Sequence, residues 1–208
     1  MKYKVKEIFG PTIQGEGYWS GSAVVFLRLT GCNKWSGRAE DKASSICSFC
    51  DTDFVGGDSL TADQIVEKLK ALSEDVRHLV ISGGEPLLQL DRALCIALRK
   101  EGFYISIETN GSKPLGELNG LIDHVTMSPK QPPKETKLEY CDDLKILYPF
   151  ISPQITLESF GDFKHTRAYL QPIDDPDKSL NTFRAIQAIY KNSKVLLGVQ
   201  LHKILEVK

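Results

Sequence analysis

Three of the five cysteines fall within one stretch, GCNKWSGRAEDKASSICSFCD (31–51), spaced C-x14-C-x2-C. Cys47 and Cys50 are placed to share a metal, and Cys32 stands beyond a polar loop. Structural zinc takes four ligands, usually from a second Cys or His pair. None of His78, His124, His165 and His202 belongs to such a pair. Cys95 lies beside Leu94 and Ala97 on an apolar helical face, and Cys141 sits in ETKLEYCDD with no partner nearby. A closed zinc site and three unrelated loop thiols stay open as readings. The sharper one is an iron–sulfur cubane, normally held by four thiolates. Three thiolates would leave one iron with open positions for a ligand.

Other residues add to this. In VVFLRLTGC, positions 24, 26, 28 and 30 share one strand face, so Arg28 projects among Val24 and Phe26. A cation there is costly unless paired. A substrate carboxylate would pair it, and so would a salt bridge to Glu16 or Glu108. In TIQGEG (12–17), Gln14 and Glu16 flank Gly15. They read either as a glycine turn with solvated side chains or as polar groups offered to a ligand. VISGGEPLL ends a strand in two glycines, which let backbone approach a ligand closely.

The elements that must position these groups alternate. Branched apolar runs predict strands over 23–29, 78–84, 103–111, 124–129, 143–149, 168–173 and 194–201. Helical spacing predicts helices over 61–72, 89–102 and 181–192, the first with a Thr61/Gln64 capping box. Strands alternating with helices favour parallel β/α units. Three helices are too few for a closed eightfold barrel. The expected fold is therefore a partial, open (β/α) TIM-like barrel with reduced helix content, one domain over 1–208. Polar or glycine-rich tails follow nearly every strand and should converge at one end of the sheet.

Composition narrows the class. With 26 basic against 27 acidic side chains, no nucleic-acid or membrane partner is expected. No apolar run approaches the ~18 residues of a membrane helix. MKYKVKEIFG alternates charged and apolar residues, unlike a secretory leader. A cytoplasmic setting follows as the expectation, and there cysteines read as metal or redox groups rather than disulfides.

The three-cysteine loop together with SGGEP resembles the radical S-adenosylmethionine (SAM) superfamily, and Phe49 matches the aromatic residue usual between the last two cysteines. The first spacing departs from it, with fourteen residues in place of the usual three. Closing the longer loop costs only about 1–1.5 kcal/mol. QGEG, the CDT after the cysteines, IETNG, SPK, LQPI and the final QLHKILEVK are similar to the 7-carboxy-7-deazaguanine synthase family. That resemblance implies conversion of 6-carboxy-5,6,7,8-tetrahydropterin to 7-carboxy-7-deazaguanine with loss of ammonia. It implies a [4Fe–4S] cluster, SAM used catalytically as a radical source, and Mg²⁺. It assigns Cys32, Cys47 and Cys50 to the cluster and Thr52 to magnesium. SAM would be met by Phe49, Cys50, Asp51, Gly84, Glu108, Asn110, Ser128, Pro129, Lys130, Gln171, Pro172, Ile173 and Asp174. The pterin would be met by Ile13, Gln14, Gly15, Glu16, Arg28, Ser82, His202 and the carboxylate of Lys208. A flavodoxin-like or other electron donor and a homodimer are further implications. Two alternatives share some of these features: another small radical SAM enzyme such as a glycyl-radical activase, and a non-catalytic metal-binding protein.

Overall fold

The computed structural model describes residues 1–208. Its strands are β1 (Tyr3–Ile13), β2 (Ala23–Leu29), β3 (Asp58–Leu60), β4 (His78–Gly83), β5 (Tyr104–Thr109), β6 (His124–Met127), β7 (Cys141–Tyr148), β8 (His165–Pro172) and β9 (Val195–Leu197). Its helices are α1 (Ala39–Lys42), α2 (Ala62–Leu72), α3 (Arg92–Lys100), α4 (Lys178–Tyr190) and α5 (Leu201–Ile204). The strands form one sheet in the order β3-β1-β2-β4-β5-β6-β7-β8-β9. From β2 onward all neighbours are parallel, whereas β1 runs antiparallel to β2 and β3. The two outer strands do not pair, so the barrel stays open, as expected.

Period-two alternation divides each strand between two environments. Val25, Leu27 and Leu29 of β2, Leu79 and Ile81 of β4, and Ile105 and Ile107 of β5 belong to the core. Ile65 and Leu69 of α2 and Leu94, Cys95 and Leu98 of α3 join them. The alternate residues turn the other way, and Arg28, Ser82, Glu108, Thr126, Lys145 and Gln171 line a cavity. The register sets Arg28 beside Ser82 and Glu108 beside Thr126.

The three expected long helices are present. Thr61 caps α2 in a complete capping box with Gln64. Helix α3 is shorter than predicted, because Asp91 caps it at Leu94 N (2.9 Å) and Pro86–Leu88 form a separate 3-10 turn. The strand predicted over 194–201 is confined to Val195–Leu197. Gly198 then packs so tightly on Gln171 that a Cβ would lie 2.3 Å from its Oε1, and the chain turns into α5. Strand β1 was not expected, although Tyr3 and Val5 point into the core with Lys4 exposed between them. No helix is long and apolar enough to cross a membrane.

Candidate functional site

A cavity of about 580 Å³ opens inside the curled sheet. Every residue the sequence nominated lies on its wall except Pro129, which is buried behind it.

Cys32 follows β2 directly. Its approach is fixed by three backbone bonds, Thr30 N to Lys4 O (3.0 Å), Gly31 N to Phe54 O (3.2 Å) and Glu85 N to Gly31 O (2.9 Å). Cys47 and Cys50 are joined by one tight turn, with Cys50 N donating to Cys47 O at 2.8 Å. Between them and Cys32, the long insertion forms the single turn α1, and Trp35 packs edge-on against Phe54 with ring centroids 5.5 Å apart. Burial pushes the Cys32 thiol up, and the Cys47 thiol to about 11. A bound metal centre is what makes such thiols thiolates. The Lys34 N–H already points at Cys32 Sγ (3.4 Å). A cubane takes one thiolate at each of its irons, so three thiols of one loop suit a cluster. Cys95 and Cys141 are in the core, away from the cavity.

The glycines of SGGEP are needed for contact with this loop. A Cβ on Gly84 would sit 2.1 Å from Gly31 O and 2.7 Å from Cys32 Cβ. Glu85 is fully buried and accepts from Asn110 N (2.7 Å), Thr109 Oγ1 (2.8 Å) and Leu87 N (3.0 Å). It thereby fixes the tail of β5, and Asn110 Nδ2 reaches Asn33 Oδ1 of the cysteine loop at 3.1 Å. Beyond β6, Lys130 Nζ donates to Ser128 O and Oγ, both at 2.8 Å, and lies 5.9 Å from the Phe49 ring centre. Burial pushes this lysine down to about 8 against the pull of the neighbouring thiols. Gln171, at the end of β8, is buried with no partner for Oε1. Pro172 and Ile173 continue the wall to Asp174.

On the same cavity wall, Gln14 Nε2 donates to Glu108 Oε1 (3.2 Å), and Ser82 Oγ lies 3.4 Å from Glu108 Oε2. Glu108, which the resemblance gave to SAM, thus stands among residues it gave to the pterin. Arg28 pairs with Glu7 (2.9 Å), not with Glu16 or Glu108. Phe9 and Phe26 stack beside it, 4.9 Å apart and nearly parallel. Glu16 pairs with Lys145 and accepts from Gln200 Nε2 (2.9 Å). Burial opposes its charge, but Lys145 prevails and holds the carboxyl below the ordinary range. Leu201 N donates to Gly15 O (2.9 Å), and a Cβ on Gly15 would collide with His202 Nδ1 at 1.8 Å. Lys203 bridges Asp51 and Asp174. Thr12 Oγ1 donates to Lys208 O (2.5 Å) at the cavity rim.

Sequence reasoning missed Glu7, Lys145, Gln200 and Lys203. Lys145 had a signal, as the polar member of an otherwise apolar alternation in LKIL. The others act through contacts between distant segments that no local pattern shows.

Fold and site together define a radical SAM domain, and the Radical SAM superfamily model matches residues 43–202. The crystal structure of QueE from Escherichia coli shares the fold, with TM-score 0.68 and 23% identity over 97% of this chain and 95% of that one. The 7-carboxy-7-deazaguanine synthase of Bradyrhizobium diazoefficiens is 43% identical over the full length of both chains. That of Caulobacter vibrioides is 41% identical over 99% of each. The chain belongs to the 7-carboxy-7-deazaguanine synthase family.

Proposed function

We propose that this chain converts 6-carboxy-5,6,7,8-tetrahydropterin to 7-carboxy-7-deazaguanine, releasing ammonia. The observation that carries the reading is that one cavity is lined both by the three cysteines and by Gln14, Glu16, Arg28 and Ser82. A cofactor-derived radical and a small polar heterocycle can meet there out of bulk water.

Cys32, Cys47 and Cys50 would hold the [4Fe–4S] cluster. When bound, cluster and SAM supply the 5′-deoxyadenosyl radical that abstracts hydrogen from the pterin. The protein's part is to bind, orient and shield. The Gly84 backbone, Ser128, Lys130, and Gln171 to Asp174 form the wall next to the cysteines, where SAM would lie. Glu16 offers acceptors to the N–H donors of a guanine-like edge. Arg28 and Lys208 are at hand for polar groups of the pterin, and the Phe9–Phe26 pair gives its ring a flat neighbour. Thr52 would contribute its hydroxyl to Mg²⁺. The flanking Asp51 and Asp53 are already paired with Lys203 and Lys6. Magnesium keeps several waters and needs few protein oxygens. An external one-electron donor, a homodimer and a cytoplasmic setting complete the proposal.

The stoichiometry of SAM tests it. Reconstituted protein with reductant, Mg²⁺ and the carboxytetrahydropterin should form many molecules of product per SAM consumed. An activase would consume one SAM for each radical placed on its partner. Product limited to one per SAM contradicts the catalytic use of SAM.

A further inference from the structure

The segment between β1 and β2 lines the cavity with Gln14, Gly15 and Glu16, and β7 meets it twice. Alternation puts Asp143, Lys145 and Leu147 on the inner face of β7, while Leu144 and Ile146 lie in the core. On the upper rung, Lys145 Nζ pairs with Glu16 Oε2. On the lower rung, Asp143 is fully buried and accepts from Tyr18 N (2.8 Å) and Arg167 Nε (2.6 Å), with His124 Nε2 at 3.2 Å. Gly17, at φ +67°, lies directly on this carboxylate; a Cβ there would meet Asp143 Oδ2 at 2.8 Å. Two residues of one strand thus grip the loop on either side of Gly17.

The lone pairs of Glu16 show what the grip is for. An ionised carboxylate has about four acceptor sites, two on each oxygen. Here Lys145 takes one on Oε2 and Gln200 takes one on Oε1. One site per oxygen remains, the arrangement that receives two adjacent N–H donors. An ion pair removed from water gives little net stability compared with apolar packing. Its value lies in geometry, because it holds a flexible side chain in one plane.

We propose that Lys145 and Asp143 are positioning residues for substrate recognition. Lys145 fixes the plane of the Glu16 carboxylate, and Asp143 fixes the loop that carries it. Glu16 then receives the paired N–H donors of the pterin's aminopyrimidinone edge. This rests on the function proposed above.

The test uses reconstituted holoenzyme and four variants: Lys145→Met, Lys145→Arg, Glu16→Gln, and Lys145→Met combined with Glu16→Gln. Lys145→Met should raise the pterin KM about a hundred-fold, since a buried partner of a charged pair is lost. The kcat should change far less, and SAM affinity, measured without pterin, should not change. Lys145→Arg should restore most of the KM. On the Glu16→Gln background, Lys145→Met should add almost nothing, because its action runs through Glu16. Asp143→Asn, which keeps the side chain's shape, is an independent arm and should show the same split at about tenfold. The proposal is overturned if Lys145→Met leaves the pterin KM as in wild type, or if SAM affinity falls in parallel. Absence of wild-type turnover would refute the function itself, whereas normal wild-type turnover with an indifferent Lys145→Met refutes only the positioning role.

Discussion

Gly84 sets how closely the cysteine loop approaches β4. The collision its Cβ would make is with backbone, at 2.1 Å from Gly31 O, which a rotamer change cannot relieve. Gly84→Ala should therefore displace Cys32, at a cost of about 1–3 kcal/mol. The expected outcome is near-native circular dichroism with much less iron taken up on reconstitution; wild-type iron content would show that the loop yields. His78 governs a different property. Its ring contacts Ser106 Oγ (2.7 Å) and packs edge-on against Trp19 and Tyr104. Burial, aided by His124, pushes it down to about 4. The folded ring stays neutral while the unfolded one takes a proton near 6.5, so its contribution is complete above 6.5 and is lost as pH falls toward 4. The loss is about 3 kcal/mol at most. Thermal scans should show the melting temperature falling from pH 7 to 4.5, and less steeply in His78→Gln.

At the scale of elements, local codes were readable and long-range ones were not. The α2 capping box was legible because its two bonds lie three residues apart, Thr61 N to Gln64 Oε1 (2.9 Å) and Gln64 N to Thr61 Oγ1 (3.3 Å). Thr61→Ala should cost about 1 kcal/mol, lowering the melting temperature by roughly 2–4 °C, with iron content unchanged. A loss of iron would mean that α2 supports the cluster loop directly. Strand β2 was legible to the residue, because AVVFLRL is apolar on both faces apart from Arg28. Strand β1 was not, because its alternation carries charges on the outer positions and competes with a loop reading. The end of β9 was missed for the reverse reason. GVQL is apolar enough for a strand, but Gly198 is pressed against Gln171 and Leu201 N is drawn to Gly15 O. Tertiary contact overrides propensity there. The cysteines, the glycines and Arg28 were visible because each breaks its local pattern. The partner of Arg28 was not visible, since Glu7 reaches it only through the antiparallel pairing of β1 with β2.

At the scale of the molecule, the open barrel is bridged by residues 200–203. Gln200 reaches Glu16, His202 lies on Gly15, and Lys203 joins Asp51 after the cysteines to Asp174 after β8. The segment 200–203 therefore connects the Gly15–Glu16 loop, the end of the cysteine loop at Asp51 and the end of β8 around one cavity. That convergence makes a single reaction the natural use of all three. The most direct test is anaerobic incubation of reconstituted protein with reductant, SAM, Mg²⁺ and 6-carboxy-5,6,7,8-tetrahydropterin, followed by mass spectrometry and ammonia determination. The account predicts 7-carboxy-7-deazaguanine and ammonia in equal amounts, both absent when Cys32, Cys47 or Cys50 is replaced by alanine. A protein that carries its cluster, binds SAM and leaves the pterin unchanged would contradict it.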